Sequence, residues 1–83
     1  MQEDIDDLLQ IYPNPATDAI SIDADASLLY NFYRIYNVAG EVVESGVIDQ
    51  YHKEINTSEY AEGMYYLTLG GDHKEVFIIT RSK

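Results

Sequence analysis

The sequence predicts an all-β fold, an immunoglobulin-like antiparallel β-sandwich of about seven short strands. Three observations lead there. Short apolar runs alternate with turn-forming residues at close spacing. No segment sustains a helical period. The composition, 46% hydrophobic with eight Tyr and neither Trp nor Cys, suits half-buried strands. At 83 residues the chain is one domain with a modest core. Closure into a small barrel is the structural alternative.

Residues 1–7 are acidic and lack a strong apolar pattern, so they read as a linker ahead of a domain spanning residues 8–83. Residues 8–12 form the first strand. Pro13 and Pro15 then bracket Asn14, and each proline keeps the residue before it out of the helical region. Asn14-Pro15-Ala16-Thr17 carries Asn first and Pro second, as a type I turn prefers. Residues 19–23 form the second strand, with Ile20 and Ile22 on one face, and residues 24–29 connect it to the third, residues 31–38. The turn Asn37-Val38-Ala39-Gly40 follows, with Gly40 free to take positive φ.

Residues 41–45 form the fourth strand, ended by Gly46, and residues 51–55 the fifth. Residues 56–62 make a polar corner with room for a helical turn. Residues 64–69 form the sixth strand, with Tyr65, Leu67 and Leu69 on one face. Gly70-Gly71-Asp72 is a tight-turn signal. Residues 74–81 close the last hairpin. Their Val76-Phe77-Ile78-Ile79 run is apolar on both faces, as expected of a strand that sits centrally or awaits cover.

Fifteen acidic against five basic residues give a formal charge of −10. Such a field repels nucleic acid and anionic lipid, so neither is an expected partner. Seven carboxylates, from Glu3 to Asp25, precede the first basic residue, Arg34, and their plain reading is solubility rather than calcium binding. Without Cys there is no disulfide framework and no thiol chemistry. No apolar run reaches the length of a membrane span. No charged-then-apolar leader opens the chain. Met1 before an acidic stretch suggests a start placed within a linker, and so a piece of a longer protein.

Residues that could carry chemistry are sparse. His52 and His73 lack a second ligand at a metal-binding spacing and read as exposed side chains. Serines 21, 27, 45, 58 and 82 lack a nucleophile-elbow context. Asp23-Ala24-Asp25 lacks the recurring ligands and the Gly of a calcium loop. Asn56-Thr57-Ser58 fits a glycosylation acceptor, but a local Asn or Ser/Thr turn explains the same residues. Catalytic residues, metal and cofactor are therefore all expected to be none. The tyrosines at 30, 33, 36, 51, 60, 65 and 66 offer the alternative function, a carbohydrate-binding or adhesion module stacking exposed Tyr on sugar rings. Alternate Tyr in strands also cover a core, and a passive spacer is the third reading.

Three motifs carry a family resemblance. They are Ile11-Tyr12-Pro13-Asn14-Pro15-Ala16-Thr17-Asp18, the strand–turn–strand from Tyr33 through Gly40 to Val43, and the stretch from Ile55 ending in Gly63-Met64-Tyr65. In this order and spacing the chain resembles the type A C-terminal sorting domain of the type IX secretion system, found on exported proteins of the Bacteroidetes. It departs from the family pattern at Tyr60-Ala61-Glu62, where Leu-Pro is usual, and in a closing strand less rich in Lys.

The resemblance implies an address label on a cargo protein and not an enzyme. It implies type IX translocon components and a surface sortase as partners, with cleavage upstream near residues 1–7. It also implies lipopolysaccharide anchoring of the cargo, and a secreted or cell-surface location reached through the periplasm and outer membrane. The motif and recognition residues it implies are Tyr12, Pro13, Asn14, Pro15, Gly40, Gly63, Tyr65, Lys74, Arg81 and Lys83. For Gly63 and Tyr65, structural roles also suffice: a positive-φ strand start and a core ring.

Overall fold

Along β2, β6 and β7, and through most of β3, more and less buried positions alternate, so each sheet has one face to hide, and two sheets hide their faces against each other. The computed structural model describes residues 8–81. Its strands are β1 (Leu9–Tyr12), β2 (Ala19–Ala24), β3 (Phe32–Asn37), β4 (Val42–Val47), β5 (His52–Asn56), β6 (Gly63–Leu69) and β7 (His73–Ile79). One sheet has the order β1-β2-β5 and the other β4-β3-β6-β7, with all strand pairs antiparallel. First, second and fifth strands on one layer, third, sixth and seventh on the other with the fourth added at its edge, is the immunoglobulin-like order expected. The linker expected at residues 1–7 lies outside the described residues.

Between the layers sit Ile20 and Ile22 of β2, Ile35 of β3, Leu67 of β6, and Phe77 and Ile79 of β7, each 0% exposed. Burying such a side chain fully contributes about 1.5–3 kcal/mol, so this interdigitated set dominates the stability of the fold. The β3–β4 turn closes as expected: Gly40 takes φ 85° and donates to the Asn37 carbonyl at 2.9 Å. Asp25 caps a 3₁₀ turn, Ala26–Leu28, by accepting from the Ser27 amide at 3.0 Å.

Three details differ from expectation. Gly46 does not end the fourth strand but lies inside β4, beneath the ring of buried Tyr33; a Cβ there would stand 2.9 Å from Tyr33 Cε2. Residues 56–62 form no helix; the corner is a single turn with the Tyr60 amide donating to Thr57. Residues 14–17 are not a hydrogen-bonded type I turn, and the peptide bonds before Pro13 and Pro15 are both cis. Ala16 instead forms a parallel bridge with Ile79, because its backbone is claimed by β7 rather than by its own loop. Of the two places expected for β7, central or awaiting cover, it takes the second. It ends the four-stranded sheet, with Phe77 and Ile79 inward and Val76 and Ile78 outward.

Candidate recognition surface

The two prolines bracket Asn14, whose polar side chain meets an edge that would otherwise be bare. Asn14 Nδ2 donates to the Val76 carbonyl at 3.2 Å, while its Oδ1 accepts from the Ile78 amide at 3.0 Å. Two residues on, the Ala16 amide donates to the Ile78 carbonyl and the Thr80 amide donates to the Ala16 carbonyl, both at 2.8 Å. An edge strand is a template for foreign strands, and this clamp occupies the C-terminal half of β7.

Arg81 finishes the same corner. Its Nη1 donates to the Thr17 carbonyl at 2.6 Å, and its Nη2 to the carbonyls of Thr57 at 2.8 Å, Ser58 at 3.3 Å and Tyr60. One guanidinium thereby joins the β1–β2 loop to the β5–β6 loop. Asp18 lies 3.9 Å from Nη1 with its side chain 85% exposed, a distance and exposure at which an ion pair adds little. Thr57, the buried polar residue of this corner, donates its hydroxyl to the Thr17 carbonyl at 3.1 Å.

Beside this junction the rings of Tyr60, Tyr65 and Phe77 pack in sequence, with centroids 5.2 and 5.7 Å apart. Tyr65 is buried and donates its hydroxyl to the Ala61 carbonyl at 2.6 Å. Burial pushes the Tyr60 phenol well above its ordinary value, and the adjacent Glu44 carboxylate adds to the shift. Gly63, at φ 150°, starts β6, and with the Gly40 turn it borders an open depression of about 240 Å³. Lys74 lies on the outer face of β7, its Nζ 4.7 Å from the centroid of the Tyr66 ring. Lys83 is outside the described residues.

On the other sheet Asp23 gathers two side chains. His52 Nδ1 lies 2.7 Å from Asp23 Oδ1, and the Tyr12 hydroxyl donates to Asp23 Oδ2 at 2.9 Å. The His52 contact, with help from Tyr12, holds the Asp23 carboxyl below its usual range, and the same carboxylate raises the Tyr12 phenol. Both of these contacts lie at the exposed surface. Among the described residues no group of three or more His, Cys, Asp or Glu is placed to hold a metal ion.

Few tyrosines keep a ring face open for a sugar. Tyr33 and Tyr65 are buried, and Tyr36 and Tyr66 stack on each other at 4.9 Å and 14°. Tyr30 and Tyr51 are exposed, in separate loops.

Residues 10–80 match the model of the secretion system C-terminal sorting domain, a span that includes both proline-bracketed motif and closing hairpin. The chain belongs to that family. Its members are sorting signals of type IX secretion rather than enzymes, carried by exported proteins. Beta-agarase A of Zobellia galactanivorans is a relative, 29% identical over 68 residues. The match covers 82% of this chain and 13% of the agarase, so the likeness concerns a small part of that protein. No solved structure matches.

Within this sorting domain, the first and third motifs meet at the corner built by Asn14, Ala16 and Arg81, whereas the Gly40 turn of the second lies with Gly63. Sequence reasoning missed three features. The partners of Arg81 are backbone carbonyls, which leave no side-chain signature. Gly46 reads as a strand end until the ring above it is placed. Asp23 and His52 come together only through the β2–β5 register, which sets them directly opposite.

Proposed function

We propose that this sorting domain acts as a folded export label, read by type IX translocon components and a surface sortase. Cleavage would fall upstream, near residues 1–7, with the cargo passed to a lipopolysaccharide anchor. The observation that carries this reading is the use of the family motif residues: Asn14 and Arg81 are spent on closing the sandwich. A motif that builds a self-contained fold suits a label recognised as a folded object, not as an extended peptide.

The test is a fusion of the whole chain to a periplasmic reporter in a host with the type IX system. Reporter should accumulate outside the cell, and a reporter retained in the periplasm would sink the proposal. Truncating residues 77–83 is a poor control, because it removes Phe77 and Ile79 from the core. Cleavage is read separately, by mass spectrometry of the exported reporter.

A further inference from the structure

The outer face of the β4-β3-β6-β7 sheet has its own pattern. Phe32, Arg34 and Tyr36 alternate outward along β3. Register sets Arg34 opposite Ser45 and Thr68, and Thr68 opposite Lys74. Arg34 and Lys74 therefore lie in one cross-strand row with β6 between them, about 10 Å apart at the backbone given the usual strand spacing. Apolar rows flank this pair: Tyr36, Tyr66 and Val76 on one side, Val47 and Phe32 on the other. Phe32 is 71% exposed, Met64 49% and Val76 46%. An open depression of about 410 Å³ runs along Phe32, Arg34 and Tyr36 to Thr68 and Gly70.

The charge of this face opposes that of the chain. In a protein of net charge −10, with five basic residues in all, two of them share this row. Among the described residues no Asp or Glu takes an outward position on these four strands. The Arg34 guanidinium has no ion-pair partner among the described residues, so its planar fork is open to a carboxylate. The footprint, about 400 Å² from strand spacing and rise, is of the size at which exposed apolar patches are commonly functional.

A second copy fits poorly, since stacking two such faces would bring cationic rows together. A sugar polymer fits poorly as well. The Tyr66 ring is taken by Tyr36 from the β3 side and by Lys74 from the β7 side, and much of the remainder is aliphatic. Resting on the export-label reading, we propose that this face docks a protein partner that presents carboxylates about 10 Å apart within an apolar surface.

The test uses the whole chain fused to a periplasmic reporter in the same type IX host. Arg34→Glu with Lys74→Glu should lower the extracellular reporter about tenfold or more, because like charges then face each other across the interface. Gln10→Glu with Tyr51→Glu, at exposed positions away from this face, should leave export within about twofold of the unmodified chain. Purified domains should melt alike; should the double reversal melt lower, Arg34→Gln with Lys74→Gln replaces it, with the same loss expected. Normal export of a reversed or neutralised variant that folds would overturn the docking face while leaving the export label standing. An unmodified fusion that stays in the periplasm would overturn both. Binding of polygalacturonate to the purified chain, lost in Arg34→Gln, would overturn the protein partner in favour of an acidic glycan.

Discussion

Replacing Arg81 with Ala should be the most damaging change available at the partly open surface of this domain. The side chain is 30% exposed, yet its guanidinium donates to carbonyls of Thr17, Thr57, Ser58 and Tyr60. Nη2 has two protons for three of these acceptors, so the 3.3 Å contact to Ser58 is a shared, weak one. Three good bonds from a charged donor remain, each worth about 1.5–3 kcal/mol net. The carbonyls lie near solvent and would rehydrate in part, which reduces the total loss to about 2–4 kcal/mol. For a domain of this size that is a fall in Tm of about 10–25 °C. Arg81→Lys keeps the charge without the planar fork and should melt between the two. Thermal unfolding followed by circular dichroism reads the difference. If both variants melted within about 5 °C of the unmodified domain, the junction would not be holding the loops together.

Asn14→Ala removes both side-chain bonds to the β7 edge, so it should cost about 1–2 kcal/mol and speed hydrogen exchange at the Ile78 amide, whose acceptor is Asn14 Oδ1; unchanged exchange there would refute the clamp. Gly46→Ala places a Cβ 2.9 Å from the ring of Tyr33, which is 3% exposed, and should lower the urea midpoint by the equivalent of about 1–3 kcal/mol; an unchanged midpoint would mean that the ring moves freely. His52→Ala should raise the Asp23 carboxyl toward its ordinary value of 3.8, followed by carboxyl NMR titration. The folded value is the lower one, so the pair's stabilisation is present above that pH and is lost as pH falls through the folded value. The carboxylate is 44% exposed, so solvent screens the gain; an unshifted titration would deny His52 any part in it.

Strand positions were legible because alternation is a local property. Ile20 and Ile22, or Tyr65, Leu67 and Leu69, need only their neighbours to declare a buried face, and each lies inward. Sheet order is not local. An apolar run such as residues 76–79 suits a central strand equally well; the strand order leaves it at an edge, and the residue that covers that edge, Asn14, is 62 and 64 residues away from its partners. The same distance explains the turn misread at residues 14–17, whose local residue types favour a closed turn while β7 captures the backbone. At the candidate site, the motif pointed to Arg81 and Asn14 but carried nothing about what they touch. The outer face was hidden for another reason: Arg34, Thr68 and Lys74 form a row only once three strands are in register.

These placements separate two ways of losing export. A change at Arg81, Asn14 or Tyr65 acts on the bonds that close the sandwich, so any loss of recognition would travel through the population of folded domain and would follow Tm. A change at Arg34 or Lys74 touches outward side chains on a sheet whose core lies on the opposite face, so its effect on binding should not follow Tm. Stability and export measured together on both sets of variants would therefore fall on two different lines. A single line through all of them would mean that folding alone is what the secretion machinery senses, since a surface read by a partner must contain residues whose loss leaves the fold intact.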